Sequence, residues 1–206
     1  MHLDKILLGI TLAAPIGPVS IEMIKRGLKD GFWAAFNIRI GGAIGNTLCL
    51  VLAYFGLAAL QNYQWVFVTL GLLGSILLLY MGLTTMKKVF KPIQIDLSSS
   101  PELKKPLRES LFLGLMLALF NPVAVVFWLS IFANDLDPTQ PVHWKHLLLN
   151  MQIILGVLLW GASLSLVLEF GRRGLSTRMI KAVTFGAGLM LLYFGGKYGY
   201  MNFLKL

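Results

Sequence analysis

The hydrophobic pattern of this chain consists of long uncharged stretches separated by short polar segments. An α-helix needs about 20 consecutive, mostly apolar residues to cross the hydrocarbon core of a bilayer. Four stretches reach that length, and only the first contains a charge: residues 32–60, 65–86, 110–134 and 147–168. Two shorter stretches, residues 6–21 and 182–196, become long enough when flanking lysines reach toward the interface. The pattern predicts an all-α membrane protein with six transmembrane helices.

Basic residues are concentrated in alternate connections between these stretches. Most lysines and arginines follow the first, third and fifth stretches, and few lie elsewhere. Since basic connections stay on the cytoplasmic side, we expect residues 87–109 to be cytoplasmic and both termini to lie outside the plasma membrane. A patch that binds phospholipid headgroups is the alternative role for residues 87–109. The net charge of +9 is explained by this placement, so nucleic acid is not an expected partner.

The chain divides into two similar halves. Residues 78–82 and 191–195 share the pattern Leu-Leu-Tyr-x-Gly, and Pro15 and Pro122 fall at similar depths of the first and fourth stretches. Internal similarity of this kind predicts a structural repeat. Because each half holds three spans, the second half crosses the membrane in the opposite sense. We therefore predict two inverted three-helix repeats, residues 1–86 and 110–206, joined by a cytoplasmic linker at residues 87–109.

Prolines interrupt the first and fourth predicted spans near mid-membrane. Pro15, Gly17 and Pro18 should break the first helix, and Asn121 with Pro122 should break or kink the fourth. A proline inside a helix removes a backbone donor, and in lipid the freed carbonyl needs a partner in protein or in a water-filled cavity. Broken segments at corresponding positions of two halves point to a transporter binding site. The sequence thus predicts a substrate site here; the alternative is that the prolines only bend packed helices.

Polar residues of the second span extend this candidate site. Asn46 should lie near the middle of that span, and we assign it to the substrate site. Arg39 is a charge inside the membrane, and such groups are functional hypotheses by default. Its predicted partner is Glu22, near the same end of the first span. The alternative, of equal weight, is that Arg39 reaches the headgroups while Glu22 pairs with Lys25 or Arg26.

The sequence contains no pattern typical of an enzyme. The serines lack a suitable base, the three histidines fall outside the predicted membrane core, and no carboxylate pair has metal-binding spacing. Cys49 is the only cysteine, so neither an internal disulfide nor a cysteine metal site can form. We expect no catalysis, no cofactor and no bound metal.

Taken together, these motifs resemble the LysE/RhtB family of amino-acid exporters. Pro15-Ile16-Gly17-Pro18 matches the family's Pro-x-Gly-Pro motif, and Asn121-Pro122 matches its Asn-Pro in the fourth span. The family's glycine spacing is also present, at Gly27, Gly31, Gly42, Gly45 and Gly82. The resemblance implies secondary transport of amino acids or related metabolites, driven by a proton or sodium gradient. Family members usually carry Asp where this chain has Asn46, a difference that would alter any coupling through that position.

The leading hypothesis is a secondary transporter that exports amino acids or related small metabolites across the plasma membrane by alternating access. Two alternatives remain, an inorganic cation exporter and a non-transporting membrane scaffold or assembly factor. An inward-facing Arg39 would favour an anionic group on the substrate. The sequence leaves open which substrate and coupling ion are used, and whether the chain works as a monomer or a homodimer.

Overall fold

The computed structural model describes residues 3–15, 17–60, 63–90, 106–135, 143–170 and 177–204. Within these ranges the chain forms eight α-helices and no β-strand. The helices, in chain order, are α1 Leu3–Ala13, α2 Pro18–Asp30, α3 Phe32–Ala59, α4 Gln64–Val89, α5 Leu107–Leu119, α6 Pro122–Asp135, α7 Trp144–Phe170 and α8 Thr177–Phe203. The predicted all-α class is confirmed.

Three of these helices are long and apolar enough to cross a membrane alone, namely α3, Trp65–Lys87 within α4, and α7. The pairs α1–α2 and α5–α6 also qualify if each bent pair counts as one span, which gives up to five candidates in the described part of the chain. α8 is not among these candidates, although it is long enough, and it is the least apolar of the four long helices. The sixth span therefore stays a prediction. Large apolar side chains face outward along the bundle, as a surface in contact with lipid requires.

The two helix breaks occur where the prolines predict them. α1 ends at Ala13 and α2 begins at Pro18, with a bend of 72° between their axes. α5 ends at Leu119 and α6 begins at Pro122, and this pair is bent by 63°. Pro18 and Pro122 both stand at the first position of a new helix, where a backbone N–H would have no partner inside the helix anyway. The prolines thus begin the second helix of each pair.

Glycines allow α1 and α7 to cross in direct backbone contact. A Cβ added at Gly9 would overlap the carbonyl oxygen of Ile153, and one added at Gly156 would overlap that of Ile6. In both helices the carbonyl belongs to the residue three positions before the glycine. Small residues that let backbones approach are typical of helix interfaces in membranes.

α3 and α5 cross in the same way. A Cβ at Gly41 would overlap the carbonyl oxygen of Leu111, and a Cβ at Gly114 would overlap that of Ile38. The spacing of three residues between carbonyl and glycine is repeated here on both helices. α1 therefore crosses α7, and α5 crosses α3, through matching contacts.

α4 and α8 meet through the segments that share the pattern Leu-Leu-Tyr-x-Gly. A Cβ at Gly82 would lie 2.8 Å from the side chain of Leu192, and one at Gly195 would lie 2.9 Å from that of Leu79. These positions are equivalent in the two segments: each glycine contacts the leucine that occupies the equivalent place in the other half.

The main core is a cluster of aromatic and aliphatic side chains contributed chiefly by α3, α4, α6, α7 and α8. Trp128 and Phe132 of α6 are almost completely buried. The ring of Phe132 packs against that of Tyr54 with centroids 5.6 Å apart. A smaller cluster around Met23 and Leu168 joins α2, α3 and α7.

Candidate functional site

A cavity of about 680 Å³ lies between the two helix breaks. Its described lining comes from α1 to α7, including both breaks and the adjoining turns of α2 and α6. The volume is within the range of pockets that hold small organic molecules. Five of the six predicted substrate-site residues line it: Pro15, Gly17, Pro18, Asn46 and Asn121. The side chain of the sixth, Pro122, lies outside the described residues.

The break between α1 and α2 presents backbone groups at the cavity. Gly17 is the N-cap residue of α2 and has an extended backbone, and because glycine has no side chain it cannot cap the free N–H groups of the first turn. The hydroxyl of Ser20 lies 3.3 Å from the carbonyl oxygen of Pro15 and 3.4 Å from that of Ala13. Ser20 thus provides a donor for the carbonyls released where α1 ends. Ser20 was not among the residues selected from the sequence, although its place in the first turn of the helix that starts at Pro18 was a signal.

The break between α5 and α6 is organised by Asn121. Its side-chain oxygen Oδ1 accepts a hydrogen bond from the backbone N–H of Val123 at 3.1 Å. Its backbone carbonyl accepts bonds from Ala124 at 3.0 Å and Val125 at 3.4 Å. Asn121 is therefore the N-cap of α6, a position that asparagine favours. Asn121 therefore bonds a backbone N–H exposed at the break.

Asn46 contacts an aromatic residue that sequence reasoning did not select. The indole Nε1 of Trp128 donates a hydrogen bond to Asn46 Oδ1 at 3.2 Å, and both residues line the cavity. The bond links the middle of α3 to the second turn of α6. The only sign of Trp128 in the sequence was its place inside a predicted span, since tryptophans are enriched at membrane interfaces.

Arg39 is the charged residue of the cavity among the residues that the structure describes. Only 5% of it is exposed. Its stem packs so closely on Gly161 of α7 that a Cβ at that glycine would overlap Arg39 Cγ. Its Nε and Nη2 atoms are buried and have no hydrogen-bond partner in the described part of the chain. Arg39 thus lines the cavity and has two guanidinium nitrogens without a protein acceptor in the described part of the chain.

The predicted ion pair between Arg39 and Glu22 is not formed. Glu22 instead pairs with Lys25 at 3.8 Å, one turn along α2, where both side chains are about one-third exposed. Residues three positions apart on a helix meet without any tertiary contact, so this pair needs no partner from α3. The alternative prediction, that Glu22 pairs with Lys25 or Arg26, is confirmed for Glu22. Its second part, that Arg39 reaches the headgroups, is wrong, because a side chain at the headgroups would not be this buried.

Two threonines of α4 complete the polar lining. Thr84 and Thr85 both face the cavity, and the Thr84 hydroxyl donates to carbonyls of the preceding turn, 2.9 Å from Tyr80 O and 3.1 Å from Met81 O. Such a hydroxyl keeps lone pairs that can accept a further bond. Within the ranges described above, no three His, Cys, Asp or Glu residues lie close enough together to hold a metal ion.

Comparison with known proteins identifies relatives over nearly the full length of the chain. Residues 10–202 match a protein family described as "LysE type translocator". The chain is 32% identical to the "Putative amino acid efflux protein YcgF" of Bacillus subtilis over 208 residues, covering 100% of this chain and 98% of that protein. It is 26% identical to the "Chemotactic transduction protein ChpE" of Pseudomonas aeruginosa over 199 residues, covering 95% of this chain and 96% of that protein.

A third relative is the "Leucine efflux protein" of Salmonella typhimurium, which is 32% identical over 130 residues, or 61% of this chain and 58% of that protein. No solved structure matches the chain. The family match covers nearly the whole sequence and includes both helix breaks, so the resemblance drawn from the motifs is confirmed. This chain belongs to the LysE family of membrane transporters.

Proposed function

We propose that this protein is a secondary transporter that exports amino acids or related small metabolites across the plasma membrane. The observation that carries the proposal is the cavity bounded by both helix breaks. Transporters bind substrates where discontinuous helices leave backbone groups free at corresponding positions of two halves. The names of two relatives, an amino acid efflux protein and a leucine efflux protein, support the same substrate class.

The six-span inverted repeat is part of this proposal. It is supported by the matching glycine crossings of α1 with α7 and of α5 with α3, and by the reciprocal contacts between α4 and α8. In such a repeat the α1–α7 and α5–α3 crossings correspond to each other, and the contact between α4 and α8 joins an element to its own counterpart. α8 would then be the sixth span, with its basic ends at the interfaces.

Alternating access is the proposed transport mechanism. Of the lining residues of α3, Arg39 lies in its first third and Asn46 at its middle, and those of α4 lie in its last third, so most of them are on the side of the basic connections. If the basic connections lie in the cytoplasm, as proposed, the cavity is in the cytoplasmic half of the protein. The aromatic core around Phe132 and Tyr54 then fills the outer half. Export requires that this core separates while the cytoplasmic half closes.

The proposed energy source is a proton or sodium gradient. Asn46 cannot carry a proton at the position where the family pattern has Asp, so coupling would have to use another group or the substrate itself. Efflux from loaded vesicles should therefore be measured after the proton gradient is collapsed and, separately, after sodium is replaced. Loss of concentrative efflux in one condition identifies the ion, and unchanged efflux in both would contradict gradient coupling.

Export itself is tested in cells fed dipeptides, which release amino acids inside the cell. Cells without the protein should accumulate its substrates, and restoring the wild-type protein should lower these pools. Asn121→Ala should abolish export at unchanged membrane level, since the first turn of α6 loses its cap. Gly186→Ala is the matched control, because nothing lies within 4 Å of the added methyl group. Equal pools of every amino acid and common metabolite with and without the protein would refute the proposal.

One observation favours a second candidate, a role in signalling or assembly without transport. ChpE, a relative over nearly the full length of both chains, is named as a chemotactic transduction protein. If this chain acts in that way, substitutions at Asn121 should leave function intact and purification should recover a stable partner. An inorganic cation is a poorer substrate candidate, because the buried guanidinium of Arg39 repels cations at the cavity.

A further inference from the structure

We infer that Arg39 binds the carboxylate of the substrate, and that the cavity accepts amino acids with uncharged side chains while rejecting those with cationic ones. The inference rests on the proposed export function and specifies its substrate class. It follows from the placement of Arg39, from the absence of a competing anion among the described lining residues, and from the character of the remaining walls.

Arg39 is positioned as a ligand-binding group rather than as part of a structural ion pair. Only 5% of the surface of Arg39 is exposed, yet its Nε and Nη2 have no protein acceptor in the described residues. A buried charge without a partner is strongly unfavourable unless an anion supplies the missing bonds. The planar guanidinium presents donors in a fork that fits a carboxylate through two parallel hydrogen bonds. A substrate carboxylate at the cavity wall satisfies this requirement.

Two acidic residues of neighbouring helices, Glu22 and Glu169, have other partners, whereas Asp30 at the end of α2 has a buried Oδ1 without a partner in the described part of the chain and does not line the cavity. Glu22 of α2 pairs with Lys25. Glu169, at the end of α7, accepts a hydrogen bond from the backbone N–H of Phe32 at 2.7 Å and so caps the start of α3. None of the described residues that line the cavity is Asp or Glu. The positive charge of Arg39 is therefore left for the ligand.

Gly161 shapes the site by fixing the path of the Arg39 stem. A methyl group there would overlap Arg39 Cγ and would come within 3.0 Å of its Cβ and Cδ. These atoms are close to the backbone and cannot move aside as easily as a side-chain tip. An alanine at position 161 would therefore displace the guanidinium while leaving its charge in place. This residue lets position be tested separately from charge.

The remaining walls favour an uncharged side chain. Apolar residues dominate them, among them Leu12, Met81, Met116 and Val157. The polar groups are neutral, from Ser20, Asn46, Thr84, Thr85 and Asn121. A lysine or arginine substrate would bring a second cation into a space that already holds Arg39 and offers no carboxylate. The α-ammonium group has acceptors in the backbone carbonyls near Ser20 and in the Thr84 hydroxyl.

The test uses full-length protein in proteoliposomes, with labelled leucine, methionine, threonine and lysine as probes. Leucinamide, which keeps the ammonium group and side chain but lacks the carboxylate, is the competitor. The neutral amino acids should be transported and lysine should not. Leucinamide should compete about 10- to 100-fold more weakly than leucine, the factor expected for losing a hydrogen bond to a charged group. Ligand-induced thermal stabilisation of the same purified protein measures binding independently.

Three variants identify the residue responsible. Arg39→Gln should weaken leucine binding to the level of leucinamide and remove the preference between them. Arg39→Lys should keep part of that preference, because a single charge remains without the planar fork. Gly161→Ala should weaken leucine binding several-fold with little change for leucinamide. Gly186→Ala, which meets no atom within 4 Å, should match the wild type.

The possible results separate this inference from the export proposal. If neutral amino acids are transported but leucinamide competes as well as leucine, the carboxylate assignment is overturned and export stands. The same holds if Arg39→Gln keeps the preference for leucine. If lysine competes as well as leucine, the selectivity against cationic side chains is overturned and export stands. If nothing is transported but leucine still stabilises the wild type and not Arg39→Gln, export is overturned and the carboxylate assignment stands. If none of the four amino acids is transported or bound, the carboxylate assignment and amino-acid export are both overturned.

Discussion

The crossing of α3 and α5 makes a quantitative prediction about stability. A Cβ added at Gly114 would lie 2.8 Å from the carbonyl carbon of Ile38, and one at Gly41 would lie 2.8 Å from that of Leu111. Ordinary van der Waals contact begins at 3.4 Å, so the carbonyl carbons alone would require a separation of about 0.6 Å, and the nearer carbonyl oxygens require more. Since both partners are backbone atoms, neither can move aside alone. We expect Gly41→Ala and Gly114→Ala each to destabilise the protein by about 2 kcal/mol, typical of overpacking.

The control lies in the same helix. Gly56 of α3 has no atom within 4 Å of an added Cβ, so Gly56→Ala makes the same chemical change without a clash. Alanine favours a helix over glycine by up to about 1 kcal/mol, and this variant should be neutral or slightly more stable. In detergent micelles the melting temperature of Gly41→Ala should fall by about 4–8 °C, while that of Gly56→Ala should not fall.

The double variant tests the shared cause. Once the helices have separated for one methyl group, the second fits with less further movement. Gly41→Ala with Gly114→Ala should therefore cost clearly less than the sum of the single variants. The assigned backbone contact is wrong if Gly41→Ala and Gly56→Ala have the same melting temperature. It is also wrong if the losses in the free energy of unfolding caused by Gly41→Ala and Gly114→Ala simply add in the double variant.

Three further predictions concern polar contacts. Trp128→Phe removes the donor to Asn46 and should reduce transport several-fold at unchanged protein level, because one hydrogen bond contributes about 1 kcal/mol; unchanged vesicle uptake would contradict a role at the site. Glu169→Gln weakens the 2.7 Å cap on Phe32 and should lower the free energy of unfolding by about 1 kcal/mol, whereas an unaltered melting curve would argue against the cap. Lys5→Met removes a 3.1 Å bond to buried Asn150 and should destabilise the protein by at least about 1 kcal/mol, which a denaturant titration detects; equal stability would count against that contact.

Features set by local chemistry were predictable from the sequence. The two breaks follow from proline and glycine alone, since a missing N–H acts within one turn of its own helix. For the same reason the cavity residues at Pro15, Gly17, Pro18 and Asn121 could be anticipated. The helical class followed from the length of the apolar stretches.

Features set by packing between helices could not be predicted. The sequence suggested Glu22 for Arg39 because both lie near the same predicted membrane face, but the partner depends on how α2 is rotated. Lys5 was expected to reach the interface, and it instead lies buried with its ammonium group 3.1 Å from Asn150 Oδ1. No local pattern identifies Asn150, which is 145 positions away. Trp128 and Gly161 are likewise part of the site only because they contact residues far away in the sequence, Asn46 and Arg39 respectively.

The glycine crossings also have a consequence for how the chain is made. α1 packs on α7 and α3 packs on α5, so the broken helix of each half is completed by a long helix of the other. During synthesis the first half emerges alone, and its glycine faces have nothing to close upon until α5 and α7 follow. We therefore expect residues 110–206 to act as the assembly partner of residues 1–86. A gene split within residues 91–105 should yield two fragments that recombine in the membrane when made together, while either fragment made alone is left incomplete and exposed to degradation.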